Sequence, residues 1–205
     1  MIDGGFLKKK FKTTFRKHIV SEDVVTVAQK ILKSLSLECG SYRIYYYDCP
    51  PSNEEVVLPI SKTKYSFSSS KGYNYMAQLL KDLKRKDFFA VREGILSFKG
   101  WTLKKSCYSK SGEFTVPKLN DDCFSPSLQQ KGVDTKIGLD IAWASYEKIA
   151  KIIVLVTGDS DFAPAMKTAR RNGIFVYLYT LGHGVMSPIL ENADVLNTEN
   201  IKTFI

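Results

Sequence analysis

With 205 residues, 44% of them apolar, the chain can bury a real core, which excludes wholesale disorder, and its length suits one domain with room for an insertion. No apolar run approaches the roughly 20 residues of a bilayer span. The lysine-rich stretch after Asp3 has no apolar segment of a signal peptide, so a cytoplasmic location is expected. The 30 Lys+Arg against 21 Asp+Glu, a formal charge of +9, favour a polyanionic partner held through counterion release.

A very short apolar start, Met1-Ile2, leads to Asp3-Gly4-Gly5. Leu7, Phe11 and Phe15 then recur at i, i+4 and i+8, one face of a helix, whose other face carries Lys8, Lys9, Lys10, Lys12, Arg16 and Lys17. Ser21 is the expected N-cap of a second helix, with Glu22 and Asp23 where the helix dipole favours acids. Its apolar face runs from Val24 to Leu35, and Gly40 is expected to break it. Tyr42 to Tyr47 reads as an aromatic strand ended by Pro50-Pro51. Residues 48–71 read as a long irregular excursion. Tyr73 to Lys86 reads as a helix, and Phe88–Val91 and Ile95–Leu103 read as strands. Residues 104–131 form a second irregular excursion.

The last third is the clearest. Asp134–Tyr146 is a predicted helix, and Ile152–Val156 is a continuous apolar run, as expected of a strand buried on both faces. Asp161–Asn172 is a predicted helix, with Pro164 in its first turn and Gly173 at its C-terminal cap. Ile174–Tyr179 is another buried strand. A short helix over Val185–Glu191 and a last strand at Val195-Leu196 complete the pattern. This alternation predicts an α/β fold with a doubly wound, mainly parallel sheet flanked by helices.

Asp159-Ser160-Asp161 follows a buried strand and precedes a helix, at the edge where open α/β sheets bind ligands. One of the two aspartates, Asp161, serves equally well as an N-cap. Asp3 ends the first strand and, in a doubly wound order, lies beside Asp159. Clustered carboxylates repel one another and call for a cation, and oxygen ligands select Mg²⁺ or Mn²⁺. Asp134 is either a helix cap or a further ligand, and Asp140 either faces the same cleft or is solvated. Such a cluster hydrolyses phosphodiesters by activating a metal-bound water and stabilising the leaving oxygen. Lys8, Lys9 and Lys12 are candidate contacts to a nucleic-acid backbone, and Tyr45, Tyr46, Tyr47, Tyr65 and Tyr73 are candidate stacking surfaces. Ser160 and His183, the latter in the loop after the fifth strand, are candidate substrate contacts.

No Ser/His/Asp or Cys/His arrangement competes. Cys39, Cys49, Cys107 and Cys123 show no C-x-x-C spacing, so reduced thiols are expected rather than a zinc site.

These residues resemble the NYN family, PIN-like nuclease domains of the LabA/DUF88 type. The resemblance rests on Ile2-Asp3-Gly4-Gly5-Phe6-Leu7, Tyr46-Tyr47-Asp48-Cys49-Pro50-Pro51 and Val91-Arg92-Glu93-Gly94 with Trp101. Lys131-Gly132-Val133-Asp134 with Asp140, Thr157-Gly158-Asp159-Ser160-Asp161-Phe162 and Ala193-Asp194 extend it. It implies a PIN-like fold with strand order 3-2-1-4-5 over residues 1–205 as one domain, Mg²⁺ or Mn²⁺ dependence, and endoribonuclease activity on RNA. It also implies metal-ligand roles for Asp3, Asp134, Asp159 and Asp161, with Asp140 a weaker carry-over. The short first strand and the lack of a polar residue soon after Asp3 depart from the family pattern. A non-catalytic RNA-binding module is the rival reading. A haloacid-dehalogenase phosphatase, a toprim nuclease and a receiver domain each require a residue that this chain lacks. RNA in single-stranded or loop form is the expected partner, no membrane is expected, and homodimerisation is left open.

Overall fold

A computed structural model describes residues 1–35, 42–107 and 119–205. Gly40 and Cys39 lie outside the described residues, and so does the middle of the second excursion.

In chain order the elements are β1 (Ile2–Asp3), α1 (Gly4–Phe15), α2 (Ser21–Ser34), β2 (Ile44–Asp48), β3 (Glu55–Val57), β4 (Lys64–Ser66), α3 (Lys71–Leu83), β5 (Phe89–Glu93) and β6 (Ile95–Leu103). Then come β7 (Phe124–Lys131), α4 (Val133–Tyr146), β8 (Ile152–Val156), α5 (Ala163–Arg171), β9 (Phe175–Tyr179), α6 (Ser187–Leu190) and β10 (Val195–Asn197). A 3₁₀ turn over Ser160–Phe162 precedes α5, and another over Ile201–Phe204 closes the chain.

The central sheet has six strands in the order β10-β9-β8-β1-β2-β5, every neighbouring pair parallel. Renumbered within that sheet, the order is the expected 3-2-1-4-5 with the last short strand added at one edge. Pattern explains why these strands are central. Alternate residues feed opposite layers: Ile44 and Tyr46, Val154 and Val156, Tyr177 and Tyr179 pack with α1, α2 and α3. Tyr45 and Tyr47, Ile153 and Leu155, Val176 and Leu178 pack with α4, α5 and α6. A strand covered on both faces must be apolar throughout.

Right-handed crossovers explain the two helical layers. The chain builds outward from β1 to β5, returns across the sheet to β8, and builds outward again on the other side. The helices therefore change face between β1 and β8. That change of direction opens a crevice beyond the carboxyl ends of these two strands.

Among the described residues both excursions contain strands. The first contains the antiparallel ribbon β3–β4, with Val56 opposite Tyr65. The second supplies β7, which pairs antiparallel with β6 from Ile95↔Lys131 to Leu103↔Phe124, with a bulge between Phe98 and Trp101. The ribbons dock on each other. Trp101 Nε1 donates to the Val57 carbonyl at 2.9 Å, and Asp121 accepts from the Ile60 amide at 2.9 Å. Tyr65, Phe67, Phe98 and Trp101 form an aromatic cluster between them.

Smaller differences have local causes. Ser21 is the first residue of α2, not its cap; the Asp23 carboxylate instead accepts the Val20 amide. Gly132, not Asp134, holds the capping position of α4. Asp159, not Asp161, caps the 3₁₀ turn, accepting the Asp161 amide at 2.9 Å. Tyr46 and Tyr47 are fully buried and offer no stacking surface. Cys49, Cys107 and Cys123 are free thiols. Among the described residues no helix is long and apolar enough to cross a membrane.

Candidate active site

The switch point lies at the ends of β1 and β8, beside the starts of α1 and α4. Asp3 is the last residue of β1 and the N-cap of α1, because Oδ1 accepts the Phe6 amide at 3.0 Å. Its Oδ2 accepts from the Thr157 hydroxyl at 3.2 Å, just past the end of β8. The same hydroxyl oxygen accepts the Asp159 amide at 3.2 Å. Thr157 thus ties the two acidic segments together across the switch point. In the sequence Thr157 stands only as part of the Thr157–Phe162 motif, and no local signal marks its hydroxyl.

Asp134 stands in the first turn of α4, near both segments. Its pKa is raised by burial first, then by the charges of Asp159 and Asp161. The Asp3 carboxyl is also raised, mainly by burial. The Phe6 amide and the Thr157 hydroxyl oppose that rise, and the charges of Asp134 and Asp48 add to it. Asp3, Asp134, Asp159 and Asp161 are therefore electrostatic neighbours, with Asp134 linking the other three. Among the described residues, none of the four is in an ion pair. In a chain this basic, four neighbouring acids without a lysine or arginine among them form a local excess of negative charge.

That donor set is all oxygen and suits a hard dication such as Mg²⁺ or Mn²⁺. The carboxylates do not converge on one point, however: among the described residues no three His, Cys, Asp or Glu side chains form a group close enough to hold a metal.

Asp140 belongs elsewhere. It is 8% exposed, and Arg92 clamps it through Nε at 2.8 Å and Nη2 at 2.5 Å, while the Tyr47 hydroxyl donates to it at 2.9 Å. Both carboxylate oxygens are engaged in joining α4 to β2 and β5. Burial and the Asp140 charge also push the Tyr47 phenol pKa far up, so it remains a donor.

The lysines of α1 divide. Lys8 turns inward and lies 2.7 Å from Asp48, whose side chain is fully buried. Asp48 also accepts from the Cys49 amide at 2.8 Å, the Tyr46 hydroxyl at 3.2 Å and Gln130 Nε2 at 3.2 Å. Lys9 and Lys12 are exposed. Gly4 makes this packing feasible, because a Cβ there would lie 2.6 Å from Tyr46 Cζ and 2.7 Å from Asp48 Oδ2. Gln130 reaches the same place from β7, its Oε1 3.3 Å from where a Cβ on Gly5 would sit. Nothing in its sequence context marked it.

His183 is exposed in the loop after β9 and stands edge-on to Phe6, with ring centroids 5.8 Å apart. Both rings close over Gly158, where a Cβ would lie 2.5 Å from His183 Cδ2 and 2.8 Å from Phe6 Cε2. Ser160 sits half-buried in the turn between Asp159 and Asp161.

A doubly wound parallel sheet with acids at its switch point defines an α/β protein of the PIN-like class. The model of the NYN domain matches residues 67–197, more than half of the chain, and the chain belongs to that family. NYN domains fall within the PIN-like nuclease superfamily, whose members generally depend on a divalent metal. The match spans Asp134, Asp140, Asp159, Asp161 and His183, and leaves Asp3 and α1 outside. No curated protein matches the chain. Among solved structures, a crystal structure of a protein of unknown function from Vibrio parahaemolyticus is similar at a TM-score of 0.48 and 13% identity, covering 95% of this chain and 88% of that one.

Proposed function

We propose that the protein is a metal-dependent ribonuclease, an endoribonuclease that hydrolyses phosphodiester bonds of RNA. The observation that supports this reading is the Thr157 hydroxyl, which donates to Asp3 and accepts the Asp159 amide at the sheet's switch point, with Asp161 in the same turn and Asp134 near enough to raise the Asp3 carboxyl; among the described residues none of the four is in an ion pair. Asp3, Asp134, Asp159 and Asp161 would hold Mg²⁺ or Mn²⁺. When bound, such an ion lowers the pKa of a coordinated water and stabilises charge on the phosphate and the leaving oxygen.

The chain's own residues supply position. The Phe6 amide and the Thr157 hydroxyl fix the orientation of the Asp3 carboxylate. The Asp161 amide does the same for Asp159. Lys9 and Lys12 present ammonium groups on the outer face of α1 for the RNA backbone. His183 and Phe6 offer ring edges beside Gly158 for an unstacked base, and Ser160 offers a hydroxyl in the same turn. Unpaired or looped RNA suits this arrangement better than a closed duplex.

The open spacing of the carboxylates favours a second reading, an RNA-binding module without catalysis. One experiment separates the two: incubation of single-stranded and structured RNA with Mn²⁺, Mg²⁺ or EDTA, comparing the wild type with Asp159→Asn. Metal-dependent cutting that disappears in the variant, with an unchanged circular dichroism spectrum, is the expected outcome. RNA binding that survives the substitution, with no cutting under any metal, would overturn the catalytic reading.

A further inference from the structure

Helix α4 is apolar on two sides. Its inner side buries Val133, Ile137, Ile141 and Ala144 against the sheet. Its outer side should then be polar, as it is on α5 in the same layer, where Lys167, Arg170 and Arg171 face out. Instead Leu139 is 63% exposed, Trp143 53% and Tyr146 67%, and Ile149 just beyond the helix is 56% exposed.

Lys136, Leu139, Trp143 and Tyr146 are spaced three, four and three residues apart. That is the spacing of a seam along which one helix packs against another. Over half of each of four large side chains left in water amounts to roughly 400–500 Å² of apolar surface. A patch of this size falls within the roughly 300–600 Å² of the largest apolar patch on a typical monomer, which is often functional.

We propose that this face joins two copies of the chain through an antiparallel α4–α4 contact about a two-fold axis. The reason for choosing a second copy is that the seam is complementary to itself. An axis crossing the outer seam midway between Leu139 and Trp143 sets Leu139 against Trp143 of the second copy, and Trp143 against the second copy's Leu139. The same axis sets Lys136 against Tyr146 and Glu147 of the second copy. An apolar centre is thus flanked at both ends by a lysine facing an aromatic ring and a carboxylate, the arrangement expected of an isologous interface. A parallel pairing would place Lys136 against its own equivalent. Lys136 also donates to the Glu93 carbonyl, which holds its stem at the edge of the seam and leaves two ammonium hydrogens for the partner.

Size is consistent with this occupant. The apolar seam supplies over half of the roughly 800 Å² per partner of a standard interface, and the stems of Lys136, Glu147 and Lys148 extend it. Gly138 has nothing within 4 Å of where a Cβ would sit, which leaves room for an indole laid across the helix. The cations of α5 keep the neighbouring surface from burying itself in the same contact. This inference is independent of the ribonuclease reading, because association is measured without RNA or metal.

Sedimentation equilibrium of the full chain from low to high micromolar concentration tests it. The wild type is expected to dimerise with a dissociation constant of about micromolar or tighter. Trp143→Glu and, separately, Leu139→Lys are expected to remain monomeric over the same range, with unchanged circular dichroism. Lys136→Glu and Glu147→Lys should each weaken the dimer about two- to fivefold, and the double swap should restore it. A wild type that stays monomeric throughout, or a dimer that survives both seam substitutions, overturns the proposal. A double swap that fails to restore association overturns the antiparallel arrangement.

Discussion

Lys8 Nζ lies 2.7 Å from Asp48 Oδ2, and the carboxylate it meets is completely buried. The pair joins α1 to the end of β2, one strand away from Asp3. Removing one member of a buried pair leaves the other charge without compensation, which typically costs about 3–5 kcal/mol. Lys8→Met should lower the urea unfolding free energy by about that much. Asp48→Asn should cost less, about 1–2 kcal/mol, because the Lys8 side chain is 21% exposed and can turn to water. Equal losses in the two variants would show that packing, not the buried charge, dominates here.

The same contact sorts the lysines of α1 by role. Lys9 and Lys12 are exposed, so each can neutralise a phosphate and release a counterion. Replacing either by Ala should weaken RNA binding and reduce the slope of log affinity against log salt by about 1. Lys8→Met, measured below its unfolding range, should leave that slope unchanged. Fluorescence anisotropy titrations across salt concentrations would read this directly, and a reduced slope in Lys8→Met would place its ammonium on the RNA after all.

Legibility in the sequence followed locality. Ile152–Val156 was readable with its bounds because its partners on both faces demand a continuous apolar run. The aspartates at the switch point stood out in the sequence because they sit beside a strand end or a helix start. The ribbons were not. Phe124–Lys131 contains Pro126 and is mostly exposed along its length, and it becomes a strand only through backbone pairing with β6. Its proline is tolerated because it lies next to the bulge after Phe98 in a two-stranded ribbon. Lys8 read as a candidate backbone contact like Lys9 and Lys12 because Asp48, which it pairs with, stands 40 residues away, farther than any helical spacing reveals. Gln130 was hidden for the same reason.

Asp134 and Asp140 share a helix but not their surroundings, and substitution should separate their effects. Arg92 and Tyr47 occupy both oxygens of Asp140. Asp140→Asn should therefore lower stability while leaving metal-dependent RNA cleavage largely in place. The loss should be about 1–3 kcal/mol, discounted because Arg92 is itself 46% exposed. Asp134→Asn should do the reverse, abolishing cleavage with no loss of stability. Thermal melts paired with cleavage rates would settle the assignment; an inactive, fully stable Asp140→Asn protein would move that residue into the reacting centre.

The sign of the Asp3 and Asp134 shifts fixes how pH acts on the metal-free fold. Both carboxyls are raised in the folded chain above the ordinary aspartate range, chiefly by burial. The native state thus prefers their protonated forms. Their contribution to stability is complete below the unfolded-state value near about 4 and is lost as pH rises through the folded-state values. At neutral pH the two charges oppose folding. In EDTA, Asp134→Asn should melt above the wild type at pH 7, and the gap should close as pH falls toward the unfolded-state value. Mg²⁺ or Mn²⁺ compensates the same charges, so adding either ion should raise the wild-type melting temperature and leave that of Asp134→Asn nearly unmoved. A variant that melts lower than the wild type in EDTA at pH 7 would mean that Asp134 supports the fold through contacts that outweigh its repulsion.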